Sequence, residues 1–209
     1  VFPHGIDFSH FEKPDKINIY DKFNIQKEKK IISFAGRLSR ENYIYDILKV
    51  AEELGRTRTD YIFLIAGNGN EFVQIKNLCN EKKMNKYVKF IGYQPKKIVN
   101  CLRKQSYISI CLMGGFSLIE ACASSRPVIS YDIEWHSELV ISGETGFLID
   151  ENNIDDVIKK TNYLFNNPAL ADAFGKKAYQ LAFNKHEIKN TTKIKQQIYR
   201  QILNEYNKR

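Results

Sequence analysis

The sequence lacks any long hydrophobic run and any recognisable secretion signal. No apolar segment approaches the roughly 20 residues that a membrane-spanning helix needs. We therefore expect a cytoplasmic protein, with attachment to the inner face of the membrane as the alternative. The chain starts at Val1 rather than Met, inside a segment with strand character, so we expect a piece of a longer protein.

Cysteine is scarce and follows no pattern. The four cysteines, Cys79, Cys101, Cys111 and Cys122, show neither C-x-x-C nor Cys/His spacing. This distribution favours reduced, buried thiols over disulfides or a metal site, and we expect no bound metal. No serine lies in a nucleophile elbow, and no Ser-His-Asp order indicates a hydrolase.

The charge is positive but dispersed. Lysine and arginine number 32 against 24 acidic residues, which gives a net charge of +8. Such a charge suits an anionic ligand, a nucleic acid or an acidic membrane. However, the lysines are interleaved with Glu and Asn, and no basic stripe carries stacked aromatic residues. We therefore expect a solvated lysine-rich surface and no nucleic-acid partner.

Apolar β-rich segments alternate with segments of helical periodicity. Strands are predicted at 31–35, 61–66, 88–93, 107–112, 127–130 and 147–149, with three helical stretches after residue 153. Residues 8–30 are predicted to be irregular and surface-bound. This alternation predicts an α/β fold with a Rossmann-like open parallel sheet and helices on both faces.

Most of these strands end in glycine or are followed by it, at Gly36, Gly67, Gly92 and Gly114, and Asp132 follows the strand at 127–130. Carboxyl ends of parallel strands meet at one edge of a sheet, and ligands of open α/β sheets bind beyond that edge. We therefore expect these positions to share one ligand site.

The stretch 113–132 is the strongest local signal. It reads as a glycine turn at Gly114 and Gly115, a helix over 117–123 and then a strand. A strand, a glycine turn and a helix N-terminus form an anion site, and Glu120 lies one turn inside that helix. A sugar attached to a phosphate would satisfy both features. The alternative is a capping box, in which Ser117 and Glu120 bond only the helix's own backbone.

Several motifs, in order, resemble one family over nearly the whole chain. Residues 1–7 are similar to "IPNGID", 34–38 to "GRL", 65–69 to "GxG" and 116–129 to "LxEAxAxGxPVI"; Asp132, Glu138 and 145–148 follow as "D…E…TGxL". The set resembles the C-terminal half of a retaining glycosyltransferase of the GT-B fold, glycosyltransferase family 4 (group 1).

The resemblance implies a nucleotide-sugar donor site and no metal or cofactor. Arg37 would contact the diphosphate, Glu120 the ribose hydroxyls, amides around 116–118 the phosphate, and Gly92 with Tyr93 the base. The implied donor-binding residues are Gly36, Arg37, Gly92, Tyr93, Gly114, Gly115, Phe116, Ser117, Leu118 and Glu120.

Two positions depart from the family pattern. The family's lysine after "GRL" falls on Asn42, with Arg40 as the nearby cation. The first Glu of the family's Glu-x7-Glu motif falls on Leu112, or on Gly114 if a gap is introduced. His136 is a weaker candidate for contact with the substrate.

The resemblance thus implies a single domain over 1–209, the donor-binding half of a two-domain enzyme of cell-surface polysaccharide or lipopolysaccharide biosynthesis. The enzyme would move a hexose to a glycan or lipid-linked acceptor bound by an N-terminal half. The terminal helix, 186–209, would pack on that half, with a membrane-surface helix as the alternative. Other functions left open are a non-catalytic nucleotide-sugar-binding or interaction domain and a nucleotide-sugar epimerase.

Overall fold

In the computed structural model, which describes residues 4–12 and 16–206, six strands form one parallel sheet in the order β3-β2-β1-β4-β5-β6. The strands are β1 Lys30–Ala35, β2 Tyr61–Ala66, β3 Val88–Gly92, β4 Ile108–Ile110, β5 Val128–Tyr131 and β6 Gly146–Ile149. The predicted α/β fold with an open parallel sheet is confirmed.

Helices follow the strands in the expected alternation. They are α1 Ser9–Glu12, α2 Ile19–Lys22, α3 Ile44–Thr57, α4 Phe72–Glu81, α5 Lys96–Gln105, α6 Phe116–Ala123, α7 Ile154–Asn166, α8 Pro168–His186 and α9 Ile188–Tyr206. Short 3-10 turns occupy Arg40–Asn42, Met84–Lys86 and His136–Glu138. In the part of the chain described, no helix is long and apolar enough to cross a membrane.

Both faces of the sheet are buried, which is why its strands read as continuous apolar runs. In β2, Tyr61, Phe63 and Ile65 belong to one core cluster. The alternate residues Ile62 and Leu64 belong to a second cluster on the other face. The period of two along the strand thus divides one apolar run between two cores.

The segment 8–30 differs from the prediction of an irregular surface stretch. Phe8, Phe11, Ile19 and Ile25 are buried, and the short helices α1 and α2 lie against α5. Their apolar residues are too few and too unevenly spaced to show a helical period, so burial here comes from tertiary contact.

The ends of the chain are only partly described. Residues 1–3 of the predicted first strand lie outside the described residues, whereas Ile6 forms an isolated parallel bridge with Glu187. The predicted terminal helix is α9, which begins at Ile188 because Glu187 has an extended backbone. The last three residues, 207–209, are also outside the described part.

Candidate functional site

A cleft of about 390 Å³ opens at the carboxyl edge of the sheet. It lies beside β1 and β4, where the strand order reverses, because the chain proceeds from β1 to β2 on one side and from β4 to β5 on the other. In open α/β sheets this reversal separates the following loops and leaves a crevice. The cleft is lined by Ala35, Gly36, Arg37, Ala66, Gly67, Asn68, Tyr93, Gln94, Val99, Arg103, Ser117 and Glu120.

One side of the cleft, which we call the loop wall, is formed by Gly36, Arg37 and Asn68 after β1 and β2. A Cβ atom on Gly67 would lie 1.8 Å from the Gly36 carbonyl oxygen, and the φ of Gly67 is +143°. Only glycine fits there. Arg37 is exposed, and within residues 4–12 and 16–206 no carboxylate lies at ion-pair distance from its guanidinium.

The opposite side, which we call the helical wall, is formed by Arg103 of α5 with Ser117 and Glu120 of α6. The Arg103 guanidinium donates to the Glu120 carboxylate, and its second nitrogen donates to Ser117 Oγ at 2.8 Å. Lys96 Nζ lies 3.7 Å from the other carboxylate oxygen. The Arg103 side chain is only 5% exposed and that of Glu120 18% exposed, so this ion pair is largely desolvated.

The predicted alternative for Glu120, a capping box, is wrong. The helix is capped at Gly115 without any side-chain bond. Ser117 instead lies inside α6, where its hydroxyl donates to the Ala35 carbonyl at 2.7 Å. Both polar side chains therefore face outward from the helix toward the cleft and toward β1.

The glycine turn before α6 has the predicted shape. Gly114 has no room for a side chain, because a Cβ would lie 2.5 Å from Cys111 Sγ. Gly115 has ψ of −109°, which side chains disfavour. Leu118 N–H already donates to the Gly115 carbonyl at 3.1 Å. Of the three amides predicted to hold phosphate, those of Phe116 and Ser117 are left at the helix start.

Gly92 and Tyr93 lie at the far end of the same edge. Gly67 N–H donates to the Gly92 carbonyl at 2.9 Å, which ties the end of β3 to the loop wall. Tyr93 is 79% exposed and its ring borders the cleft. Gly92 has φ of +67°, with nothing within 4 Å of its missing Cβ.

The weaker candidates are engaged elsewhere. Asn42 Nδ2 donates to the Arg37 carbonyl at 2.9 Å and thereby closes the loop that carries Arg37. Arg40 Nε lies 3.4 Å from Glu71, and its guanidinium stacks on Tyr45. Leu112, which stands where the family has its first Glu, is fully buried in the main core.

His136 is also fully buried and does not line the cleft. Its Nδ1 lies 2.7 Å from Ser130 Oγ and 3.1 Å from the Tyr131 carbonyl. The Gly114 N–H donates to its Nε2 at 3.4 Å. Burial lowers the pKa of His136, and the bond to the Tyr131 carbonyl opposes that shift. The prediction that His136 contacts the substrate directly has no support in this geometry.

Arg103 was missed by the sequence analysis. It lies in α5 next to the buried residues Cys101 and Leu102. An arginine on the apolar face of an amphipathic helix was the available signal, because a buried guanidinium requires an acidic partner. Among the described residues, no group of three or more His, Cys, Asp or Glu side chains could hold a metal ion.

Fold and cleft together define an α/β domain with a ligand crevice at the switch point of its sheet. Residues 15–181 match the family of glycosyl transferases group 1, and the chain belongs to that family.

The chain is similar to the poly(ribitol-phosphate) α-N-acetylglucosaminyltransferase of Staphylococcus aureus (strain COL). Identity is 30% over 160 residues, which cover 75% of this chain and 32% of that protein. A crystal structure of a mutant of S. aureus TarM in complex with fondaparinux, α-GlcNAc-glycerol and UDP matches with a TM-score of 0.74 and 26% identity. The match covers 79% of this chain and 34% of that one.

The sucrose-phosphate synthase of Thermosynechococcus elongatus has the same fold, with a TM-score of 0.85 at 20% identity over 97% of this chain and 52% of that one. The chain spans 32% of the length of the S. aureus relative, and 48% and 24% of the length of two further curated relatives.

Proposed function

We propose that the chain is the donor-binding domain of a retaining glycosyltransferase of family 4. The enzyme moves a hexose from a nucleotide-diphosphate sugar to a glycan or lipid-linked acceptor in cell-surface polysaccharide or lipopolysaccharide biosynthesis. The observation that carries this proposal is a carboxylate, Glu120, held by Arg103 beside the free amides at the start of α6. Family membership supports it, and the transferase relatives favour neither a non-catalytic domain nor an epimerase.

The cleft suggests how the donor lies. One carboxylate oxygen of Glu120 lies 3.7 Å from Lys96 Nζ, which is too far for a hydrogen bond. This oxygen is available to accept hydrogen bonds from the ribose hydroxyls. The amides of Phe116 and Ser117 and the Arg37 guanidinium bind the diphosphate. The Tyr93 ring packs on the base. Helix amides and a guanidinium stabilise a leaving diphosphate electrostatically, so we propose that no metal is needed.

The TarM structure contains UDP, and the S. aureus relative is named for a poly(ribitol-phosphate) acceptor. We therefore propose that the donor is a UDP-sugar and that the acceptor is a polyol-phosphate or glycan polymer. The acceptor site belongs to the N-terminal half of a longer protein. The chain alone binds the donor and transfers poorly.

The last helix supplies a surface for that half. Ile194, Ile202 and Leu203 of α9 are 41%, 53% and 59% exposed. We propose that they pack on the N-terminal domain. Hydrogen exchange checks this: amides at 200–206 should be protected only when that domain is present. Binding of the 209-residue chain to anionic vesicles would favour a membrane surface instead.

The two departures from the family pattern affect the sugar end of the site. Leu112 lies in the core, so Leu112→Glu would bury a carboxylate rather than restore a sugar contact. Arg40 is paired with Glu71 and is a poor replacement for the family's lysine. We therefore expect the hexose to be held by groups other than the motif's first Glu. Asn42→Lys would add a positive charge near the diphosphate, but it would also remove the hydrogen bond that closes the loop carrying Arg37.

Calorimetric titration of the chain with UDP, GDP and ADP tests the proposal. We expect one nucleotide, UDP, to bind, and Glu120→Gln to weaken that binding about tenfold, since a hydrogen bond to a charged acceptor contributes about 1.5 kcal/mol or more. Glu52→Gln is the matched control. Glu52 is also paired with a lysine and is similarly buried, at 20% exposure, but it lies outside the cleft lining.

Equal weakening by both variants would indicate a general effect of lost charge. If none of the three nucleotides binds while circular dichroism shows an intact fold, the proposed donor site is wrong.

A further inference from the structure

The N–H of Gly114 is buried in the glycine turn and has an unusual acceptor. Gly114 is enclosed by Cys111 and Leu118, and its N–H donates to Nε2 of His136 rather than to another backbone group. A buried amide that loses its acceptor keeps the full cost of its desolvation, so this acceptor matters to the conformation of the turn.

The other side of the ring fixes its tautomer. The Ser130 hydroxyl donates to the Cys111 carbonyl at 2.7 Å, so its oxygen is left to accept from His136 Nδ1 at 2.7 Å. The Tyr131 carbonyl at 3.1 Å can only accept. Nδ1 therefore carries the proton and Nε2 is the acceptor, as the Gly114 N–H requires.

The ring thus ties both ends of the turn to the end of β5. Through Ser130 it reaches Cys111, where the turn leaves β4, and directly it holds Gly114, two residues before α6. The directions of the next amides, those of Phe116 and Ser117, depend on how Gly114 is held.

We propose that His136 is a positioning residue for the donor diphosphate: it holds the glycine turn in its binding conformation only while its imidazole is neutral. This inference rests on the proposed function. His136 touches no ligand, and it acts through the Gly114 N–H.

Protonation would place a second N–H opposite the Gly114 N–H, with no acceptor between them. Two N–H groups that point at each other repel at the 3.4 Å that separates Gly114 N from His136 Nε2, so the turn must shift. The charged ring would also be buried, which is why burial lowers the pKa of His136. Neutral His136 is therefore the state of the folded chain near pH 7.

Other ionisable groups surround the ring. Asp132 and Glu134 lie on its own loop and favour the charged form. Cys111 on the β4 side stays a neutral thiol, because burial raises its pKa to about 11. On α8, Lys185 donates to the Glu138 carbonyl at 2.9 Å, and His186 lies beyond the Trp135 ring. Within the described part of the chain, the Gly114 N–H is the hydrogen-bond partner of Nε2, and none of these groups is bonded to that nitrogen.

The test is the affinity of the chain for UDP-glucose, whose diphosphate diester does not change charge between about pH 5 and 8, the range in which histidine titrates. If the nucleotide titrations select GDP, GDP-mannose replaces it. We expect wild-type affinity to fall roughly tenfold from pH 8 to pH 5. His136→Gln keeps an acceptor near the position of Nε2 but cannot titrate, so its affinity should be close to wild type at pH 8 and nearly constant with pH.

Two matched variants complete the design. His136→Asn retains a group near the position of Nδ1 but not the acceptor for Gly114, so it should bind weakly at every pH. His10→Gln changes an exposed histidine on α1 and should keep the wild-type pH profile. Circular dichroism at each pH separates loss of binding from unfolding.

A flat wild-type profile, or a profile unchanged in His136→Gln, would overturn the role of His136 while leaving the donor site intact. Absence of nucleotide-sugar binding even at pH 8 would overturn the proposed function and this inference with it.

Discussion

The two walls of the cleft hold their charged groups in opposite ways. On the helical wall, the largely buried Arg103 donates to Glu120 and to Ser117, and Ser117 donates to the Ala35 carbonyl. On the loop wall, the Arg37 side chain projects into solvent with no carboxylate at ion-pair distance among the described residues. The side chains of the helical wall are held in place without a ligand, whereas the Arg37 side chain would become ordered only when it binds one.

This difference separates stability from binding. A buried ion pair contributes little net stability when it is complete, but removing one partner strands the other in a low-dielectric site. An exposed arginine contributes almost nothing to folding and is available to an anion. Substitutions on the helical wall should therefore lower the free energy of unfolding, and those on the loop wall should weaken ligand binding with little change in stability.

Removal of Arg103 should have the largest effect. Arg103→Met keeps much of the side-chain volume but leaves Glu120 without its buried partner, so we expect a loss of about 3 kcal/mol in the free energy of unfolding by urea denaturation. Arg56→Met is the control. The Arg56 side chain is 63% exposed and pairs with Glu53 at 2.8 Å, and we expect less than about 1 kcal/mol. Equal losses would mean that the helical wall is no more integral to the fold than a surface pair.

Arg37→Gln should give the converse result. We expect the free energy of unfolding to change by less than about 0.5 kcal/mol. The affinity for UDP should fall about tenfold, because the proposed charge-assisted contact of Arg37 with the diphosphate would be lost. Arg40→Gln controls for loss of one positive charge on the same loop. A similar loss of affinity in both variants would point to a diffuse electrostatic effect rather than a contact by Arg37.

Ser117→Ala should have a smaller effect. The hydroxyl bridges Arg103 and the Ala35 carbonyl, so its removal deletes two hydrogen bonds but no charge. We expect a loss of about 1 kcal/mol in the free energy of unfolding. Ser137→Ala, outside the cleft lining, should be neutral. A neutral Ser117→Ala would show that the Arg103–Glu120 pair alone organises the wall.

The smallest effect should be the pH dependence of stability. Burial lowers the pKa of both His136 and His186. Their contribution is fully present above the ordinary histidine pKa of about 6.5 and is lost as pH falls through the lowered values. We expect stability to decline by less than about 1 kcal/mol between pH 7.5 and 5.5 through these groups, and His136→Gln with His186→Gln to reduce that slope. An unchanged slope would assign it to carboxylates.

The sequence was sufficient to predict the sheet, the shared edge of the glycine positions and the helix after the glycine turn. Those features depend on local patterns, namely apolar runs, glycine at strand ends and short-range periodicity. The pairing of Glu120 with Arg103 could not be predicted from local patterns, because Arg103 precedes Glu120 by 17 residues and lies on another helix. The burial of Phe8 was missed for the same reason, since its contacts with Tyr179 and Phe183 on α8 are distant in the chain.

Backbone hydrogen bonds join the three loops beneath the cleft in series. Gly36 N–H donates to the Ala66 carbonyl, Leu38 N–H to the Asn68 carbonyl and Gly67 N–H to the Gly92 carbonyl. The backbones of the loops after β1, β2 and β3 are therefore linked to one another and should move together. A ligand that meets Arg37 at one end and Tyr93 at the other orders only side chains, at about 0.5–1.5 kcal/mol each, and leaves the chain entropy of the loops almost unchanged.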